Sequence, residues 1–504
     1  MGSKKKIALI NIRISDTVFM PLGLLSLGAV LQKEGFQVKV FDPFTYEHPN
    51  RLLEEVRQFS PRYIGFSIVT PAYQKSLLLR NALRILLPDA IYFAGGIHPT
   101  IFPERVLQGL DLSFVVKQEG EVTLKEALLA LESGNSLQKV DGVVFKDDQG
   151  VIVANQDREL VENLDTLPSP ARYLVDMEKY FIPPGYIRGY FLQRVANILI
   201  GRGCPMSCIF CDSHLLFGRR MRKRSVGAIM SEIDTLVRDY RVEGVYFSDE
   251  MFPAQSSWLD EFCLQIQKRD LPWGAATRVD FINEDAVRKM KNAGCVQLDV
   301  GVESGSDRIL EIINKQSSCR VIERAFGVLR KYRMRSFATV MIGNPEETYG
   351  DIEATRRLLK SIRPSYIHVT WFTPYPGTEA YLQQKANNDL SCELFENAYD
   401  FITSEKPVIN LTALTDGELA CARATLGRDV FFSNLLNLLT LHNLRYICEA
   451  VFFSFLSPRA LIKAVCTSCK NRSVYETVYF IFYNYQRYKS ALNTRIASHN
   501  KRRG

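Results

Sequence analysis

Two series of short apolar runs, each run followed by a helix-length segment, leave this chain little choice of architecture. The first series is "KKIALINIR", "QVKVFDP", "RYIGFSIVT", "AIYFAGGIH" and "LSFVVKQEGE". Runs that are apolar along most of their length need cover on both faces, which a parallel sheet wrapped by helices provides. Between them, "LGLLSLGAVLQKEG" has a helical pattern and stops at Gly35. The expectation is an α/β unit with a doubly wound sheet. In such a sheet a ligand lies beyond the carboxyl ends of the strands. Here those ends are "PLG" (21–23), Ser67 to Thr70, "GGIHPT" (95–100) and "QEGE" (118–121). Glycines there let backbone come close to a large ligand.

The second series starts near Asn197. Its strands are "NILIG", "GVYFSDE", "WGAATRV", "CVQLDVGVES", "SFATVMIGNP" and "YIHVTWFTPYP". Six βα units in this span fit a partial or full barrel, a (β/α)6 arrangement. Between the series, residues 137–170 read as a small hairpin and then a Pro-rich linker, "NLDTLPSPARYL". Beyond about residue 400 the strand signals fade into helical, aromatic segments. The expected divisions are 1–136, 137–190, 191–400 and 401–504.

The second series opens on three thiols. "ILIGRGCPMSCIFCDSH" (198–214) carries Cys204, Cys208 and Cys211 as C-x3-C-x2-C on a loop after a strand. With only 11 cysteines in 504 residues, the chain is no disulfide scaffold. Clustered thiols in a reducing compartment point to a metal or cluster. A zinc ion wants four ligands, usually in two separated pairs, and His214 could be a fourth. A [4Fe–4S] cluster held by three thiolates would keep one iron open.

This loop, placed after the first strand of a βα barrel, resembles the signature of radical S-adenosylmethionine (SAM) enzymes. The resemblance spans about 195–385. "GVYFSDEMF", "LDVGVESGSDRILEIINK", "VMIGNPEET" and "TPYPGTEAY" resemble that family's later strand motifs, in order. It implies that Cys204, Cys208 and Cys211 ligate a [4Fe–4S] cluster whose open iron takes SAM, and that reduction releases a 5′-deoxyadenosyl radical. It places Phe210 beside the adenine. Asp249 and Glu250 fall where a group for the SAM amino end stands, although the usual Gly-Gly-Glu form is absent. Glu303 and Ser304 would face the ribose or methionine part, and Ile342 and Gly343 the adenine. An external one-electron reductant of flavodoxin or ferredoxin type is implied as a partner.

"FAGGIHPTIFPERVL", "PLGLLSLGAVLQKEG" and "KQEGEVTLKEAL" resemble the cobalamin-binding, flavodoxin- or Rossmann-like domains that precede some radical SAM barrels. The resemblance covers about 5–135 and implies cobalamin contacts from Leu22, Gly23, Ser67, Gly95, Gly96, His98, Thr100 and Gly120. The loop "ISDTVFMPLG" lacks the histidine that better-known cobalamin domains offer to cobalt. His98 reads as a loop residue near the corrin's polar edge. The combined architecture implies methylation of an unactivated carbon. One rival is an oxidative cyclase of the same build. Another is a non-catalytic cobalamin or iron–sulfur sensor.

The net charge of +8 sits in the tail, where residues 457–504 hold ten Lys/Arg and one acid. Its aromatic segments are expected to form a helical cap or to touch a membrane surface, with nucleic acid the least favoured partner. Cys466-x-x-Cys469 reads as two helix-face thiols. The basic start "MGSKKK" precedes only a short apolar run without a cleavage site, so a cytoplasmic, possibly membrane-associated location is expected. A large apolar substrate, such as a lipid or tetrapyrrole, suits the tail's composition.

Overall fold

The computed structural model describes residues 5–12, 20–46, 49–181, 187, 194–253, 257–387, 390–396 and 407–438. The basic tail and its Cys466–Cys469 pair lie outside the described residues.

The first sheet holds β1 (Lys6–Asn11), β2 (Gln37–Phe41), β3 (Tyr63–Ser67), β4 (Ile91–Gly95), β5 (Phe114–Val116), β6 (Val143–Lys146) and β7 (Ile152–Ala154). Their order is β2-β1-β3-β4-β5-β6-β7, with the first five strands parallel. β1 lies between β2 and β3, so the chain winds outward in both directions from it and a crevice opens at that reversal. The helix Leu22–Lys33 buries Leu24, Leu25 and Leu31 on one side of the sheet. Its stop at Gly35 matches that residue's φ of +83°.

The sheet runs past residue 136, where the sequence reading ends the first domain. β6 pairs antiparallel with β5, and β7 with β6. The reason is apolar. Val143 and Val144 are fully buried and need β5 as a neighbour, while Gly150, at a φ of +78°, closes the turn to β7.

The second unit contains β8 (Val195–Ile198), β9 (Gly201–Arg202), β10 (Arg222–Lys223), β11 (Gly244–Phe247), β12 (Trp273–Thr277), β13 (Cys295–Glu303), β14 (Arg335–Ile342) and β15 (Tyr366–Trp371). Six of them form one sheet, β8-β11-β12-β13-β14-β15, with every neighbouring pair parallel. β8 and β15 are its edges, so this is the partial rather than the full barrel. The helix Asp416–Leu438 covers the β15 edge, where Arg423 Nη2 donates to the Val369 carbonyl at 2.9 Å. Trp273, Phe247, Phe252 and Phe262 pack edge-on and tilted, at centroid distances of 5.3–5.7 Å, under the β11–β12 wall. Among the described residues, no helix is long and apolar enough to cross a membrane.

Candidate functional site

The cysteine loop is pinned at its base. β9 and β10 pair antiparallel, Arg202 opposite Arg222, and so clamp the two ends of the 203–221 excursion. Gly203 enters it at a φ of +88°, where a Cβ would stand 2.3 Å from the Arg220 carbonyl, so no side chain fits. Further along, Ile209 N donates to Ile313 O at 3.2 Å, Ala380 N to Ile209 O at 2.9 Å, and Asn314 Nδ2 to Ser207 O at 2.9 Å. The loop is thus tied to the segments that follow β13 and β15. Burial pushes the Cys211 thiol up to about 11, with Cys208 and Cys204 adding to the effect.

Sulfurs on a single tetrahedral zinc, at ~2.3 Å each, sit about 3.8 Å apart. Among the described residues the only trio with ligand atoms within 4.8 Å of one another is His98, Cys392 and Glu396. Cys204, Cys208, Cys211 and His214 form no such trio.

A second feature lies between the two units. A largely apolar cavity enclosing about 1380 Å³ of empty space, its opening included, is lined from the first sheet by Leu22, Gly23, Ser67, Gly95, Gly96 and Gly120. From the barrel side come Leu199, Gly201, Arg202, Leu216, Phe217 and Arg224, which flank the cysteine loop. At Gly23 nothing lies within 4 Å of where a Cβ would be, so any larger residue would project into open space. At Gly96 the φ of +103° and an Ile68 carbonyl 2.9 Å from the Cβ position exclude other residues.

The cavity floor is held by buried charges. Glu119 accepts from Arg222 at 2.9 and 3.0 Å, from Arg202 at 3.1 Å and from the Val161 amide at 2.8 Å. Glu121 accepts from Arg202 at 2.5 Å and Ser26 at 2.9 Å. Arg172 and Arg224 both pair with Glu232 at 2.7 Å. Burial works against charge on Glu121 and Glu232, yet the neighbouring guanidiniums win and hold both carboxyls below their usual value. Such groups contribute stability above the unfolded value, ~4.3, and lose it as pH falls through the lower folded value. The urea midpoint is therefore expected to hold from neutral pH to about pH 5 and to drop below about pH 4. Fluorescence-monitored urea titrations across that range check this.

A family profile described as the Radical SAM superfamily matches residues 198–359, and one described as a B12 binding domain matches residues 10–128. An uncharacterized methyltransferase of Pyrococcus horikoshii is 30% identical over 415 residues, covering 81% of this chain and 87% of that protein. The chain belongs to the B12-binding radical SAM family. The anaerobic magnesium-protoporphyrin IX monomethyl ester cyclase of Rubrivivax gelatinosus is 26% identical over 409 residues, or 79% of this chain and 71% of that one. The fold is shared with the radical SAM methyltransferase TsrM of Kitasatospora setae, solved with cobalamin and a [4Fe–4S] cluster. Its TM-score is 0.64 at 17% identity, over 76% of this chain and 75% of that one. The cofactors of this radical SAM enzyme are accordingly a [4Fe–4S] cluster, SAM and cobalamin, and it draws electrons from a reductant.

Two expected cobalamin contacts, His98 and Thr100, are absent from the cavity lining. Thr100 is turned to the Gly96 carbonyl and the Gln118 amide, at 2.8 and 2.9 Å. His98 is fully buried on the short helix Ile97–Ile101, not on a loop. Its Nδ1 lies 3.3 Å from Thr70 Oγ1 and its Nε2 lies 3.3 Å from Glu396 Oε1. Arg105 also donates to both oxygens of Glu396 at 2.8 Å. His98 thus ties the first domain to the segment after the barrel. Replacing His98 by Ala is expected to leave the bound corrinoid's visible spectrum unchanged and to lower the urea midpoint.

The SAM-side residues divide similarly. Phe210 packs edge-on to Phe372 at 6.4 Å, and Glu250 is exposed at the end of β11. Asp249 instead accepts from the Ile200 and Gly201 amides at 2.7–3.1 Å, and burial pushes its carboxyl up to about 8. Glu303, at a φ of +63° beside a β-bulge, pairs with Lys315 Nζ at 2.7 Å. Ser304 is fully buried, 3.3 Å from Thr355 Oγ1 and accepting from Ser306 N at 3.2 Å. Ile342 is buried, and Gly343 turns at a φ of +91° with its amide held by Glu347 at 2.7 Å. Glu347, Arg202 and Arg222 went unnoticed in the sequence. Only the Asn-Pro-Glu-Glu context of Glu347 carried any signal.

Proposed function

We propose that this enzyme methylates an unactivated carbon of a large, apolar substrate, using SAM and cobalamin in one shared chamber. The observation that carries the reading is the cavity wall. It joins the glycine-lined strand ends of the first sheet to Leu199, Gly201 and Arg202, which lead directly into the cysteine loop. When bound, SAM at the cluster supplies a 5′-deoxyadenosyl radical and the corrinoid supplies a methyl group.

In this reading Cys204, Cys208 and Cys211 hold three irons. Phe210, Glu250, Glu303 and the Ile342–Gly343 backbone line the SAM side. Leu22, Gly23, Ser67, Gly95, Gly96 and Gly120 shape the corrinoid side, the glycines and Ser67 being small enough to admit a wide flat ring. The apolar lining excludes water from reactive species between them. A methyltransferase relative supports methyl transfer, and a relative acting on a porphyrin ester supports a large ring-like or lipid substrate. A reducing cytoplasm, with a flavodoxin- or ferredoxin-type electron donor, suits the free thiols and the cluster.

The test is anaerobic reconstitution with iron, sulfide and hydroxocobalamin, followed by methyl-labelled SAM and a low-potential reductant. Formation of 5′-deoxyadenosine together with label in the corrinoid fraction is expected. Formation of 5′-deoxyadenosine with no label in that fraction would favour cyclase-type chemistry. Neither product would leave a sensor.

A further inference from the structure

Arg278, which follows β12, has no place in the ligand sets assigned above, yet it points at one of them. Its Nη1 lies 3.6 Å from Cys208 Sγ, within reach of an N–H···S hydrogen bond. The rest of the guanidinium is fully committed. Nε and Nη2 donate to Asp280 Oδ2 at 3.0 and 2.7 Å, and Nη2 also donates to the Lys315 carbonyl at 2.6 Å. The side chain is 8% exposed, so its charge is little screened by water. The other nearby cation, Lys315, is spent on Glu303. Among the described residues, Cys208 is the one cysteine of the three whose sulfur has a cationic side chain within hydrogen-bond reach.

We propose that Arg278 sets the reduction potential of the cluster through Cys208. Adding an electron makes the cluster and its thiolates more negative. A fixed cationic donor to a cluster sulfur stabilises that reduced form and raises the potential. The bracing by Asp280 and the Lys315 carbonyl keeps the donor in place, so little reorganisation accompanies the electron's arrival. Asp280 also offsets part of the guanidinium charge, which makes the Arg278–Asp280 pair an adjustable field beside the cluster. The chain thereby eases the reduction that every SAM cleavage requires, without Arg278 touching SAM.

This rests on the reading that Cys204, Cys208 and Cys211 hold a [4Fe–4S] cluster. Full-length protein is reconstituted anaerobically without SAM and titrated with dithionite, following the reduced-cluster EPR signal. Iron content is measured on every sample. Wild type without iron would sink the cluster assignment itself. With iron at wild-type level, Arg278→Gln is expected to lower the reduced-to-oxidised ratio at a fixed potential about tenfold, equivalent to about 59 mV for one electron. Asp280→Asn should move the ratio the opposite way, because it removes the offsetting charge and leaves the donor. An unchanged ratio in iron-loaded Arg278→Gln overturns the proposal. If Arg278→Gln fails to retain iron, Asp280→Asn decides: a raised potential supports the proposal, and an unchanged or lowered one overturns it. A bracing role alone would not give shifts of opposite sign.

Discussion

Replacing Cys204, Cys208 and Cys211 together by alanine is expected to remove all bound iron and all 5′-deoxyadenosine formation while leaving the far-UV circular dichroism unchanged. The loop does not depend on its sulfurs for shape. Its ends are clamped by the β9–β10 pair, and Gly203 occupies a position no side chain can share. Its middle is held by backbone bonds from Ile209 to Ile313 and from Ala380 to Ile209. None of these involves a thiol. Removing the sulfurs therefore deletes the cofactor and spares the scaffold, and since the cofactor carries the difficult chemistry, turnover falls to background rather than by a modest factor. Iron analysis, visible absorption and product chromatography on the same sample check this. Variant protein that still made 5′-deoxyadenosine would end the assignment of these cysteines.

How far such a site can be seen in a sequence depends on how local its causes are. Strands β3 and β4 were legible because buried parallel strands are apolar on both faces, and β13 because Leu298, Val300 and Val302 alternate with Gln297, Asp299 and Gly301. Ser67, Gly95, Gly96 and Gly120 could be placed at the cavity because strand-then-helix grammar dictates where the carboxyl ends lie. The C-x3-C-x2-C spacing marks a metal or cluster site, and the [4Fe–4S] reading rests on the family resemblance. His98 was not legible. Its "GGIHPT" setting reads as a ligand loop, yet its partner Glu396 comes from beyond the barrel, and no pattern within the first domain announces it. The surroundings of Ser304 are hidden in the same way, because Thr355 lies 51 residues downstream. Arg278 carries no motif at all, since its meaning comes from Cys208, 70 residues earlier. Periodicity reports which face of an element is covered; it says nothing of which distant charge will meet it.

The charge hub under the cavity is where such distant pairing has its largest consequence. Arg222→Met is expected to destabilise the protein by about 3–5 kcal/mol and to release cobalamin during gel filtration. Arg222 is nearly fully buried, as is Glu119, 103 residues away in the other domain. Besides its two bonds to Glu119, it donates to the Val161 carbonyl at 2.7 Å and the Phe217 carbonyl at 2.9 Å. Methionine fills most of the same volume but satisfies none of those acceptors, and it leaves the Glu119 carboxylate with Arg202 as its remaining charged partner. A buried carboxylate short of partners is costly, so the domains relax apart to let water in. Glu119, Gly120 and Glu121 also line the cavity, so that relaxation widens the corrinoid site. The double variant Glu119→Gln with Arg222→Met separates the two causes. If the uncompensated charge dominates, neutralising it recovers a large part of the lost urea midpoint, and the two substitutions together cost less than the sum of each alone. If the lost packing and carbonyl contacts dominate, the costs simply add. Recovery of stability without recovery of cobalamin retention would show that Arg222 also orients the cavity wall through Phe217.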